Sequence, residues 1–299
     1  MNTMNWSRAK TILIILFLIA DIFLFYELYS EDLVRRNKAD QETAKEVIKY
    51  LEKQGIWVKC RIPKASLPKK TLTVKYKYID SKYALGIFFD SPKDVAIKTY
   101  EDRTVLEDKK SYVEINKNGQ LIYTNKELLR KKEEPMDEES ALKNMKVFLK
   151  NIGIDDDDIY SISKKLENGY YIINCSQSYK GTFLDESHLE LLVTKEGIAH
   201  MKILWFEVEN NGKNKNAIIH PIKALMELAE EMEEKTDEGK KDLVINDISL
   251  GYYFDTDIEQ VEEFDIIEVE EGTAIPVWKM ETNMGNIYIN AYNGTVEKN

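Results

Sequence analysis

The chain has 299 residues, 32% of them charged and 43% hydrophobic, with 53 acidic against 42 basic side chains and a formal net charge of −11. This length accommodates two modest domains beyond any targeting segment, and the composition is that of a folded protein rather than a disordered one. The acidic balance argues against nucleic acid, which needs a basic face, and against docking on anionic lipid through a polybasic patch.

The first element is Thr11–Tyr26, TILIILFLIADIFLFY, almost unbroken hydrocarbon with no Gly or Pro. Extended to Ala9–Leu28, it has the length of a helix that spans a bilayer, roughly 20 residues. A helix satisfies its own backbone hydrogen bonds, which lipid cannot do. Trp6 before it, and Tyr26 and Tyr29 after it, are rings that favour the headgroup level. A cleaved secretory signal would also begin with basic residues, here Arg8 and Lys10. The exit FYELYSEDLV, however, has no pair of small residues spaced for cleavage. The sequence therefore predicts an uncleaved anchor. Basic residues precede the span while Glu27, Glu31 and Asp32 follow it, which places the N-terminus in the cytoplasm and the bulk outside. The expected order is a short tail (1–8), a transmembrane helix (9–28) and a stalk (29–35).

A first α+β domain is predicted over 36–128. Ala44, Val47, Ile48 and Leu51 follow the i, i+3, i+4, i+7 spacing of one helical face, and Gly55 is a plausible stop. TLTVKYKYI alternates as a half-buried strand, with Tyr83–Phe89 read as its partner. Ser111–Thr124 reads as a hairpin around Asn116-Lys117-Asn118-Gly119. The charged, Pro-containing stretch KELLRKKEEPMDEES marks a boundary, with a linker at 129–136. The C-terminal α+β domain (137–299) shows one pattern twice, in units 137–210 and 217–299. The first helix opens at Asp137 or Glu138 and carries Ala141, Met145, Phe148, Leu149 and Ile152, ending at Gly153. Strands GYYIINCSQSY and HLELLVTKEGIAHMKILWFEV follow, the latter turning at Glu196-Gly197. The second helix begins at His220-Pro221, Pro being favoured at the first helical position. Its strands are VINDISLGYYF and AIPVWKMETNMGNIYINAYNGTVE, turning at Asn283-Met284-Gly285. The fold class expected is α+β: antiparallel sheet packed with helices behind one N-terminal transmembrane helix.

Chemistry-bearing patterns are sparse. Asp155–Asp158 could offer oxygen ligands to calcium, but it lacks the central Gly and terminal bidentate Glu of an EF-hand, and a solvated turn after a helix is the expectation. Asp185, Glu186, Glu207, Glu209, Glu268, Glu270 and Glu271 could supply a carboxylate pair across a cleft; with 53 acidic residues, strand surface positions are the simpler reading. Cys60 and Cys175 are far apart and read as unpaired thiols, although an exported domain could form a bridge. His188, His200 and His220 form no metal pair, and His220 is placed for a capping role. No nucleophile motif or phosphate loop is present. No catalytic residue, metal or cofactor is therefore predicted. Trp205, Trp278 and the tyrosines read as core, with a ligand groove as the alternative.

Asp21 stands apart. A carboxylate at the centre of a membrane helix costs about 2.5–3.5 kcal/mol on insertion scales. It lies near the outer end, where it is either tolerated or hydrogen-bonded to another helix. Asp21, with Phe17 and Leu24, forms the candidate partner-helix contact.

The opening NWSRAKTILIILFLIADIFLFYEL resembles the start of the YycI (WalI) family, single-pass regulators associated with the WalK (YycG) sensor histidine kinase. DISLGYYF and PVWKMETNMGNIYINAYNGTV are similar to sheet portions of YycI and its relative YycH. Members of that family often carry an amide near the position of Asp21. The resemblance implies an α+β extracytoplasmic region without catalytic residues. It also implies pairing with a YycH-like partner and with the kinase, largely through transmembrane helices, in cell-wall homeostasis. The alternative is a PepSY-like extracytoplasmic module that binds a peptide or inhibits a protease, with the helix as a simple tether.

Overall fold

The computed structural model describes residues 17–18, 42–64, 69–131, 136–211, 216–234, 242–254 and 271–298. Among these, no helix is long and apolar enough to cross a membrane. The predicted span 9–28 lies outside the described residues except for Phe17 and Leu18, which are helical and exposed.

The chain is α+β. Helix α1 (residues 42–53) ends at Gly55, whose φ of 81° is the left-handed conformation that terminates helices at low cost. Strands β1 (Ile56–Val58) and β2 (Leu72–Tyr76) follow; Leu72 and Val74 of β2 are buried, as alternation predicted. Next comes α2 (Ser81–Phe88), which corrects the strand expected at Tyr83–Phe89. The Asp80 side chain accepts from the Tyr83 backbone N–H at 2.8 Å and so caps the helix. Ala84 and Phe88, four apart, are the buried pair. The alternation of Tyr83, Leu85, Ile87 and Phe89 imitates a strand, but the cap and the i, i+4 burial decide the outcome.

Strands β3 (Ala96–Thr99), β4 (Arg103–Glu107), β5 (Ser111–Asn116) and β6 (Leu121–Asn125) form a meander. The β5–β6 turn is the predicted one. Short α3 (Lys126–Arg130) leads to α4 (Glu138–Asn151), where the Ser140 backbone N–H donates to Asp137 at 2.8 Å. Then come β7 (Ile159–Glu167), β8 (Tyr170–Tyr179), β9 (Thr182–Thr194), β10 (Gly197–Leu204) and β11 (Phe206–Asn211). Helix α5 (Pro221–Glu234) precedes β12 (Leu243–Tyr253), β13 (Glu271–Thr282), β14 (Gly285–Asn290) and β15 (Val296–Lys298). At the start of α5 the His220 ring Nδ1 accepts from the Ile222 N–H at 3.2 Å, the capping role expected of it.

The main run of strands is β11-β2-β13-β12-β9-β10-β6-β5-β4-β3. Among the described residues, strand pairing is antiparallel except at two places. Strand β1 runs parallel to β12 (Ile56↔Leu243), and β12 meets β9 in parallel over only Tyr252↔Leu184 and Tyr253↔Asp185.

Apolar residues gather in clusters that draw on distant parts of the chain. One joins α2 and α4 to the faces of β4–β6 and β8–β10, with Met145, Leu149, Leu106, Val113, Leu191 and Met201 fully enclosed. Residues 129–136 thus link two stretches that contribute to the same cluster. A second joins α1 and β1 to α5 and β12–β14, around Leu51, Ile56, Leu225, Leu228, Ile245 and Trp278. A third, aromatic cluster lies on β2, β11 and the end of β12. Each such side chain contributes roughly 1.5–3 kcal/mol on leaving water.

Candidate ligand cleft and buried polar groups

A cleft of about 500 Å³ opens between the end of β2 and the tips of the β3–β4 and β5–β6 hairpins. Its size is in the range of small-molecule sites. The floor is a cross-strand row, Thr99↔Thr104↔Ile115, fixed by the β3–β4–β5 register. One wall is Lys75, Tyr76 and Tyr78 with Glu207 of β11 behind Lys75, which it faces across the β2–β11 ladder. The opposite rim carries Tyr100, Arg103 and Lys117.

Several of these groups are held by neighbours. The Tyr76 ring lies 5.4 Å from Phe206 and 6.3 Å from Phe254, so it is anchored in the aromatic cluster. Burial raises its phenol pKa, with the Glu186 charge adding to the shift, and the hydroxyl stays protonated. Gly119 closes on Tyr76: its φ is 78°, and a Cβ there would collide with the Tyr76 Cβ. A glycine is required on both counts. The Arg103 guanidinium carbon sits 5.1 Å from the centre of the Tyr100 ring, a cation–π distance. Arg103 Nη1 donates to Asp102 at 2.9 Å, while its buried Nε lies 4.0 Å from Glu114 and has no hydrogen-bond partner among the described residues. Lys75 pairs with Glu209 and lies 3.8 Å from Glu207. Tyr78 and Tyr100 keep 59% and 48% of their surface in solvent, enough for either to receive a flat ligand.

A second polar group joins distant strands. Lys279 Nζ is 3.0 Å from Asp185 Oδ2, and the Tyr288 hydroxyl donates to the same oxygen at 2.7 Å. The two charged side chains are only 14% and 16% exposed. Lys279 also lies 5.2 Å over the Phe183 ring, and Tyr288 stacks on Tyr253 at 4.7 Å. Burial, and then the Asp185 charge and hydrogen bond, push the Tyr288 hydroxyl well above its usual range. All three partners are satisfied, which fits a structural tie between β9, β13 and β14 better than a reactive centre.

The residues singled out from sequence are dispersed. Phe17 is exposed, while Asp21 and Leu24 lie outside the described residues, as do Glu268 and Glu270. Glu271 begins β13. Glu207 and Glu209 both serve Lys75. The Asp155–Asp158 run is a 3₁₀ turn closed by the Asp155 N–H donating to Asp158 at 2.9 Å, with Asp156 paired to Lys146 at 2.6 Å. Among the described residues no group of three or more His, Cys, Asp or Glu is placed to hold a metal ion. Cys60 and Cys175 are both free thiols, as read from their spacing; burial raises both, that of Cys175 to about 12. Trp205 and Trp278 are core. The groove alternative falls instead to three tyrosines of the N-terminal third. Arg103, Thr99 and Thr104 carried no sequence signal, whereas the Asn116–Gly119 turn did.

His188 and His200 give the fold a pH dependence. Burial depresses both imidazole pKa values, and Lys202 lowers both further, against the opposing pull of Glu190. The unfolded chain therefore protonates first. Stability is full above about pH 6.5, the unperturbed histidine value, and is lost as pH falls below it toward the folded values. Urea midpoints measured between pH 7.5 and 5 are expected to decline. His200→Gln, which keeps a partner for the Thr124 hydroxyl now 3.0 Å from Nδ1, is expected to flatten part of that decline.

Comparison with known proteins gives three findings. A family model described as "YycI protein" matches residues 35–292. No curated protein matches. Among solved structures, an uncharacterized protein from Eubacterium rectale aligns with a TM-score of 0.54 at 12% identity, covering 82% of this chain and 91% of that one. The Bacillus megaterium YpeB C-terminal domain aligns with a TM-score of 0.37 at 9% identity, covering 68% and 86%. At these identities the first likeness speaks to the fold alone.

Proposed function

This chain belongs to the YycI family, and from that premise we propose that it is a membrane-anchored, non-enzymatic regulator of a WalK/YycG-type sensor histidine kinase. The family match over 35–292 carries the reading. The apolar stretch Ala9–Leu28 precedes the matched region and supports a single-pass anchor with the bulk outside the cytoplasm. In this reading the anchor helix, with Asp21, Phe17 and Leu24, contacts transmembrane helices of the kinase, and a YycH-like protein completes the assembly.

The physical mechanism is a population shift. Contacts that differ between two kinase states bias their equilibrium by the difference in contact free energy, commonly about 1–3 kcal/mol. A carboxyl group facing a partner helix supplies a directional contact of this kind. Exchange of residues 9–28 for an unrelated span of equal length tests the proposal in membranes that contain the kinase. Autophosphorylation is expected to change several-fold and co-purification to be lost. If both survive the exchange, the helix is only a tether and helix-mediated regulation is wrong.

A further inference from the structure

We propose that the cleft between β2 and the hairpin tips binds a neutral saccharide, a short run of sugar rings laid against Tyr78 and Tyr100.

Three ligand classes can be weighed against that lining. A lipid or other aliphatic chain needs aliphatic walls, and the one aliphatic side chain among the described lining residues, Ile115, is almost fully buried in the floor. An anion would find Lys75, Arg103 and Lys117, but it would also face Glu207 in the wall. The Asp102 and Glu114 carboxylates beside Arg103, and Glu209 on Lys75, already offset two of those three cations. A cation meets the converse mixture. A sugar hydroxyl donates and accepts at once, so it can satisfy Glu207 and a neighbouring ammonium or guanidinium group together. The threonine hydroxyls of the floor add the same dual capacity. The C–H faces of a sugar ring are apolar and flat, and they stack on aromatic rings as other apolar faces do.

Part of the lining is also held in place before any ligand arrives. Tyr76 is fixed by Phe206 and Phe254, and Tyr100 lies under Arg103. The close approach of Gly119 to Tyr76 sets the width at one end. A preorganised site spares a ligand the ordering cost of its partners. An extended peptide is the rival occupant, because β3 is the last strand of the main run and its four residues are exposed. A peptide would draw its affinity from backbone pairing along that edge, whereas a saccharide would draw it from the tyrosine rings.

The experiment uses the full chain in a zwitterionic detergent without a sugar headgroup. Cellotetraose, maltotetraose and the tetramer of N-acetylglucosamine are titrated by calorimetry and saturation-transfer NMR. Tetraglutamate, inorganic phosphate and a neutral extended hexapeptide form the competing arms. At least one tetrasaccharide is expected to bind more tightly than any competitor. Tyr78→Ala and Tyr100→Ala are each expected to weaken it tenfold or more, while Tyr78→Phe and Tyr100→Phe retain it, since the ring face and not the hydroxyl is used. Tyr83→Ala, an exposed tyrosine that does not line the cleft, is expected to leave it unchanged. Circular dichroism confirms that each variant is folded. The proposal is overturned if no tetrasaccharide binds at millimolar concentration, if the alanine variants bind as the native chain does, or if a peptide or anion binds in preference.

Discussion

Trp278→Ala is expected to lower the stability of the fold by about 4 kcal/mol, within the range of roughly 3–5 kcal/mol for deleting a buried Phe or Trp ring. Trp278 is 1% exposed, on β13 between Leu250 of β12 and Ile289 of β14. It belongs to the cluster that attaches α1, β1 and α5 to the sheet. Its indole Nε1–H donates to the Ile219 carbonyl at 3.0 Å, just ahead of α5. The substitution removes a large apolar volume and leaves that carbonyl without its donor. Trp278→Phe separates the two losses: it keeps most of the ring and forfeits the part-buried hydrogen bond, at about 0.5–1.5 kcal/mol. Urea midpoints should fall in the order native, Trp278→Phe, Trp278→Ala. An alanine variant within about 1 kcal/mol of native would mean that α5 is not held through this residue.

Asp185→Ala is expected to cost about 3 kcal/mol, because removing one partner of a buried pair strands the other charge. Lys279 would keep the half-exposed Glu281, 3.7 Å away, and the face of the Phe183 ring, and Tyr288 would lose its acceptor. Lys279→Ala should cost somewhat less, since the Tyr288 hydroxyl still donates to Asp185. Residues in direct contact are not additive. The Asp185→Ala/Lys279→Ala double variant should therefore be at least 1 kcal/mol more stable than the sum of the single losses implies. A strictly additive cycle would show that the two charges do not hold β9 to β13.

Much of the local structure was legible because local rules were consistent. In α4, the Asp137 cap, the spacing of Ala141, Met145 and Leu149, and the stop at Gly153 all agree. The Asn116–Gly119 turn and the pairing of Met280 with Ile287 were equally readable. Tyr83–Phe89 was not, because seven apolar-rich residues satisfy period 2 and period 3.6 at once, and the deciding cap, Asp80, lies outside the run. Strand β3 left no trace, since all four of its residues are exposed and carry no alternation. The cleft was hidden for a different reason. Lys75 meets Glu207, and Tyr76 meets Gly119, through pairings between residues far apart in sequence, which no motif records. The family itself was readable from the anchor and the two C-terminal strand stretches, and the match over 35–292 is independent of the anchor residues that first suggested it.

The parallel pairing of Ile56 with Leu243 has a consequence for biosynthesis. Helix α1 and β1 are made early, but the residues that cover Leu51 and Ile56 lie ~190 positions downstream in α5 and β12–β14. At ~5–20 residues per second, the apolar face of α1 waits roughly ten to forty seconds for its cover. No N-terminal portion of the chain can complete that core during elongation. Closure of the second cluster therefore waits for β12–β14, and a chain truncated before β12 would expose Leu51 and Ile56 to whatever holdase is at hand.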